Sequence, residues 1–195
     1  MTTRTTERQA SCTWDVLEAA HRRARRDDVP SGGTPPHEPM VAVLTCADAR
    51  VSPARSFDLP AGALFVVRVA GATATTEAVA SLTYAVEELG VATVVVLGHT
   101  ECGAVTAALA GVDDPAIESL VAPIRPALTS GCTDTVCAVP AHVAATVASL
   151  AAGPGPLGDA IRRGRVAVHG AVIDIADGSL THLPVPPNPP QQESA

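Results

Sequence analysis

The segment Val94-Val95-Val96-Leu97-Gly98-His99-Thr100-Glu101-Cys102-Gly103 narrows the possible folds more than any other part of this chain. Its β-branched apolar run has the length and composition of a strand covered on both faces, as in a parallel sheet. Gly98 permits a sharp exit from that strand, and the small residues from Gly103 onward suit a helix packed close to its sheet. His99 and Cys102 therefore stand at the carboxyl end of a strand and in the first turn of a helix. Open α/β sheets bind their ligands there. The i, i+3 spacing lets an imidazole and a thiolate converge on one point.

A second segment, Met40-Val41-Ala42-Val43-Leu44-Thr45-Cys46-Ala47-Asp48-Ala49-Arg50, has the same plan. An apolar strand ends at Cys46, with Asp48 two residues on. If the two strands are parallel neighbours, Cys46, His99 and Cys102 form a Cys2His set suited to Zn2+. Three protein ligands leave a fourth position for water or a carboxylate, which is the plan of a catalytic rather than a structural zinc site.

The rest of the chain supports an α/β domain. Residues Trp14 to Arg26 read as a helix with a partial apolar stripe, and Asp28 to Pro39 as a loop rich in Pro and Gly. Pro53 opens a short helix, and Ala63 to Val69 form a strand whose apolar pattern Arg68 interrupts, facing the cleft or a partner. Thr76 is expected to cap a helix that carries Val79, Leu82, Ala85, Val86 and Leu89 and stops at Gly90. After the helix from Gly103 to Ala110, another begins at Asp114-Pro115 and is bent by Pro123 and Pro126. Asp134 to Leu150 is helical, a short helix ends at Arg163, and Val166 to Ile175 is a strand. Asp177-Gly178 turns the chain into an antiparallel edge strand, Leu180 to Leu183. The expected fold is a single α/β domain with a mostly parallel central sheet flanked by helices and an N-terminal helical arm. Its divisions are an arm and loop at 1–39, the zinc domain at 40–183 and a disordered tail at 184–195.

Charge and composition exclude several functions. The formal charge of -7 argues against nucleic acid as the main partner. No lysine is present, which excludes a lysine Schiff base and a Walker-type phosphate loop. No apolar signal core opens the chain, and no later stretch is expected to be long enough to span a membrane. Five cysteines, two of them in the proposed metal set, do not describe a disulfide framework. Cys12, Cys132 and Cys137 are expected as spare thiols in a reducing cytoplasm. His21, His37, His142, His169 and His182 show no ligand spacing, though any one can carry protons.

The pair Cys46-x-Asp48-x-Arg50 and His99-x-x-Cys102-Gly103 resembles the β-class carbonic anhydrases. The resemblance runs from about Met40 to Leu183. It takes in Asp58 and Pro60-x-Gly62, then Leu64-Phe65-Val66-Val67-Arg68-x-Ala70-Gly71, then Ser81-Leu82-x-Tyr84-Ala85-Val86-Glu87-x-Leu89-Gly90, and Gly170-Ala171-x-x-Asp174. It implies a zinc enzyme that interconverts CO2 and bicarbonate by attack of a zinc-bound hydroxide. Asp48 would either take the fourth zinc position, closing the site, or pair with Arg50 and leave that position to water. Phe65, Tyr84 and Gly103 would belong to the substrate pocket. A homodimer or homotetramer would form, with the N-terminal arm on a partner subunit. Val69, Ala72 and Ile173 stand where the family carries asparagine, asparagine and tyrosine, making the pocket more apolar. That favours two alternatives: hydrolysis of carbonyl sulfide or carbon disulfide, or a role in a specialised biosynthetic pathway. A further alternative is a zinc-stabilised assembly module without catalysis.

Overall fold

The computed structural model describes residues 13–24, 33–128 and 131–184. The chain divides into two compact units, Met1–Pro36 and His37–Ala195. In the first, residues 13–24 form helix α1, and its Trp14, Val16 and Leu17 are exposed.

In the second, five strands make one sheet: β1 (Val41–Thr45), β2 (Leu64–Arg68), β3 (Thr93–His99), β4 (Ala167–Ile173) and β5 (Leu180–Leu183). Their order is β2-β1-β3-β4-β5, parallel except for the antiparallel β4–β5 pair at the edge. The two segments that end in Cys46 and in His99 do lie on neighbouring parallel strands. Thr45 of β1 pairs with Leu97 of β3, which brings Cys46 out beside Gly98 and His99. The buried Thr45 hydroxyl donates to the Leu97 carbonyl at 2.9 Å, so that hydroxyl is satisfied at the strand end.

The helices are α2 (Pro53–Ser56), α3 (Thr76–Glu87), α4 (Gly103–Leu109), α5 (Glu118–Val121), α6 (Thr135–Ala152) and α7 (Pro156–Arg162). With so few aromatics, the core is aliphatic: Leu44, Leu82, Leu97, Ile124 and Ile161 are among its largest fully buried side chains. Each such side chain contributes roughly 1.5–3 kcal/mol of transfer free energy. The sheet is covered unequally. One face packs against the large helical core, while Val43, Val51, Leu97, Ala171 and Ile173 form a small cluster on the other. There Val41, Leu64 and Val95 stay partly exposed.

Several expectations are corrected. Gly98 is not the exit of its strand, because β3 continues through it to His99. Its role is close approach: a Cβ there would lie 2.6 Å from Val143 Cγ2 of α6. The helix cap is Thr75, whose hydroxyl accepts the Ala78 N–H at 3.3 Å, and Thr76 is the first helical residue. The segment after Asp114-Pro115 is α-helical only from Glu118 to Val121, followed by a 3-10 turn at Arg125–Ala127. Cys132 and Cys137 are not spare thiols but form a disulfide, with Cα atoms 5.4 Å apart. The Asp134 cap, which accepts the Cys137 N–H at 3.0 Å, folds the chain back so that the two sulfurs meet. Helix α6 has the length and apolarity to cross a membrane, contrary to expectation. It is the core helix here, and its Ala138, Val139, Val143, Val147 and Leu150 are buried. Cys12 and residues 185–195 lie outside the described residues, as do parts of the expected loop at 28–39.

Candidate metal centre

Cys46 leaves the end of β1, His99 closes β3, and Cys102 is the N-cap of α4. Between the last two, Glu101 adopts a left-handed φ of 56°, and this residue, not Gly98, makes the turn. The loop is tied to the end of β4. The Thr100 N–H donates to the Ile173 carbonyl at 3.0 Å and the Thr100 hydroxyl to Asp174 Oδ1 at 3.3 Å. All three side chains are buried: Cys46 is 5% exposed, His99 0% and Cys102 3%.

Their donor atoms lie within 4.8 Å of one another, and the two sulfurs are 3.9 Å apart. His99 Nδ1–H donates to the Thr100 carbonyl at 2.8 Å, which fixes the tautomer and leaves Nε2 a bare lone pair. That Nε2 is buried without a partner. A buried acceptor left in this way costs about 1–3 kcal/mol unless something binds it. The orphaned nitrogen, facing two thiols at coordination distance scale, suits a soft or borderline cation such as zinc.

The electrostatics agree. The pair of sulfurs shares a proton, with Cys46 held in its thiolate form well below the ordinary thiol range. The causes are Cys102 as donor, then His99 and the backbone N–H groups of Gly71 and Asp48, against the opposing effect of burial. Cys102 is pushed up by the neighbouring Cys46 and by burial. Burial works against a charge on His99, but Cys46, the Thr100 carbonyl and Asp48 outweigh it and raise its pKa.

Asp48 is beside this cluster but turned to another partner. Its Oδ1 accepts the Arg50 backbone N–H at 2.9 Å and Arg50 Nε at 3.0 Å, and its Oδ2 accepts Arg50 Nη2 at 2.8 Å. Arg50 holds the carboxyl well below the usual carboxylate range. Oδ2 is 3.8 Å from His99 Nε2, so the carboxylate borders the ligand cluster.

A family model described as carbonic anhydrase matches residues 41–180, from the first residue of β1 to the first of β5. The chain belongs to the β-class carbonic anhydrases. Carbonic anhydrase 2 of Mycobacterium tuberculosis is 33% identical over 183 residues, covering 85% of this chain and 88% of that protein. The Coccomyxa β-carbonic anhydrase in complex with acetazolamide superposes with a TM-score of 0.66 at 28% identity, over 90% of this chain and 83% of that one. A β-carbonic anhydrase of Sordaria macrospora, described as tetrameric, matches the fold with a TM-score of 0.67 at 21% identity, over 94% of this chain and 98% of that one. β-Carbonic anhydrases use zinc, and the Cys46, His99, Cys102 cluster fits it.

Within this β-carbonic anhydrase the pocket at the cluster is walled by Gly71, Ala72, Val105, Val139, His142 and Val143. Phe65, Tyr84 and Gly103 are not among its lining residues. Phe65 and Tyr84 stand together, ring centroids 6.2 Å apart, with His37 stacked on Phe65 and Tyr84 half exposed. Gly103 begins α4 directly after Cys102. Two contributors were not assigned from sequence. Arg68 donates from Nε to the Cys46 carbonyl at 3.1 Å and from Nη2 to the Asp48 carbonyl at 2.5 Å, bracing the first ligand loop from β2. Its break in an apolar strand was the signal. His142 lines the pocket from the middle of α6, where an ionisable residue on a buried, mainly apolar face was the only clue.

Proposed function

We propose that this protein catalyses the reversible hydration of CO2 to bicarbonate and a proton, with zinc held by Cys46, His99 and Cys102. The observation that carries this reading is the buried, unpartnered His99 Nε2 facing two sulfurs while Arg50 occupies the adjacent carboxylate. Zinc at such a site lowers the pKa of water to about 7 and so supplies a nucleophile at neutral pH.

The chain's own groups do the rest. Arg50 keeps Asp48 ionised and turned from the ligand cluster, a bidentate pairing able to rival a metal for the carboxylate. From that position Asp48 accepts an O–H of the reacting water and sets the direction of its lone pair. Arg68 holds the backbone of the same loop, so the Asp48 carboxylate and Cys46 keep a fixed relation. Ala72, Val105, Val139 and Val143 surround the ligand cluster with apolar groups that exclude bulk water from it. Val69, Ala72 and Ile173, apolar where the family carries polar residues, favour a second reading in which the chemistry is kept and carbonyl sulfide or carbon disulfide is the substrate.

The chain acts as a homo-oligomer in this proposal, a homodimer or homotetramer. The thinly covered sheet face, with Val41, Leu64 and Val95 partly exposed, and the exposed Met40 and Tyr84 supply apolar surface for a second copy. Stopped-flow CO2 hydration across pH, on protein of measured zinc content, tests the reading. Zinc-dependent hydration that rises with pH is expected. Stoichiometric zinc with no hydration, even at alkaline pH, would leave the non-catalytic assembly module, and sulfide release from carbonyl sulfide exceeding CO2 turnover would favour the second substrate class.

A further inference from the structure

Two backbone N–H groups from different loops point at Cys46 Sγ, that of Asp48 at 3.4 Å and that of Gly71 at 3.3 Å. The first belongs to the ligand loop itself. The second comes from the turn Ala70–Ala72, where Gly71 has a φ of 76° and is tightly enclosed. A Cβ on Gly71 would lie 3.0 Å from Ile124 Cδ1 and 3.2 Å from Ala104 Cβ. The Gly71 carbonyl accepts the Nε2–H of His142 at 2.9 Å. A carbonyl only accepts, so the His142 proton sits on Nε2 and its Nδ1 is a buried acceptor without a partner.

An imidazole is an expensive side chain at this place. His142 is 3% exposed on a helix face whose other buried residues are apolar except Thr146, and burial drives its pKa down. A leucine would fill similar space beside Val139 and Val143 and leave no orphaned nitrogen. What leucine lacks is the donor to Gly71. We infer that His142 is a positioning residue for the metal centre: by gripping the Gly71 carbonyl it holds the turn that aims the Gly71 N–H at Cys46 Sγ. This rests on Cys46 being a metal ligand. An N–H bonded to a thiolate withdraws charge from it, so the grip of His142 sets how strongly Cys46 donates to the cation, and residues beyond the ligands commonly act in this way.

The test loads the full chain with cadmium-113 in place of zinc and records its proton–nitrogen spectra. Scalar coupling from the metal through Cys46 Sγ to the Gly71 amide proton reads the hydrogen bond directly. It is expected in the wild type, lost in His142→Leu and restored in His142→Gln, whose amide N–H can reach the same carbonyl. Zinc affinity, measured by chelator competition, should fall about tenfold or more in His142→Leu and recover in His142→Gln. Unchanged coupling and affinity in a folded His142→Leu overturn the inference. If that variant does not fold, His142→Gln decides: coupling kept supports the inference and coupling lost refutes it. Failure of cadmium to couple to the Cys46 and Cys102 side chains would instead reject the metal site. Coupling to both cysteines with none at Gly71 in the wild type rejects the inference alone.

Discussion

The two sides of the Cys46 sulfur are built on opposite principles. Toward solvent stand Asp48, Arg50 and Glu101, charged groups that exchange partners at little cost. Arg50 is half exposed and reaches Glu101 Oε2 at 3.5 Å while it binds Asp48. Toward the interior stand Gly71 and His142, neutral groups whose hydrogen bonds are locked by packing. The outer side can rearrange because water stabilises every charge it uncovers. The inner side cannot, since any bond broken there strands a buried polar group. In the proposed mechanism, gating thus falls on one side and the constant geometry of the ligands on the other.

The largest effects are expected at the ligands joining the two sides. Cys46→Ala, His99→Ala and Cys102→Ala should each weaken zinc binding by roughly two to three orders of magnitude, the share of one ligand in a structural zinc affinity, and abolish hydration. Full zinc retention in all three, by metal analysis after dialysis against chelator, would remove the site. On the outer side Asp48→Asn should keep the zinc and lower turnover about a hundredfold; an undiminished rate takes Asp48 out of the mechanism.

On the inner side Gly98→Ala should cost about 1–3 kcal/mol in urea unfolding through overpacking against Val143, because the added Cβ would lie 2.6 Å from Val143 Cγ2. Stability equal to wild type would mean that the helix α6 face is softer than its packing indicates. The smallest effect concerns pH. Burial lowers the His142 pKa below its ordinary 6.5, so the stability it contributes is complete above that value and lost as pH falls through the depressed one. Urea midpoints at pH 8 and pH 5 should therefore drop more in the wild type than in His142→Gln, and equal drops would show that His142 takes up its proton freely in the folded state.

The ligand set was legible because strand-end chemistry is local: an apolar run followed by Cys46, or by His99 and Cys102, announces itself within ten residues. The mostly parallel sheet and its antiparallel edge strand followed from the same punctuation, whereas the order β2-β1-β3-β4 came only with the structure. What was hidden depended on contacts distant in sequence. Gly98 reads as an exit because turn glycines and close-approach glycines look alike until the helix above them is known. Arg68 and His142 act on backbone groups 20 to 71 positions away, and no spacing rule links them to Cys46 or Gly71. The Cys132–Cys137 bond was missed because counting thiols says nothing about the Asp134 cap that turns one toward the other.

Asp48 and Arg50 sit two residues apart on one short loop. Their separation can be undone by rotating side-chain bonds, with no hinge, lid or subunit shift required. Arg50 is the half-exposed partner, and exposed side chains reorient in picoseconds to nanoseconds, whereas turnover in enzymes runs at roughly 1–10³ per second. If the pair acts as a latch, one so brief relative to each catalytic cycle would stay at equilibrium throughout, and salt, rather than acidity, would adjust the fraction of molecules ready to react without delay.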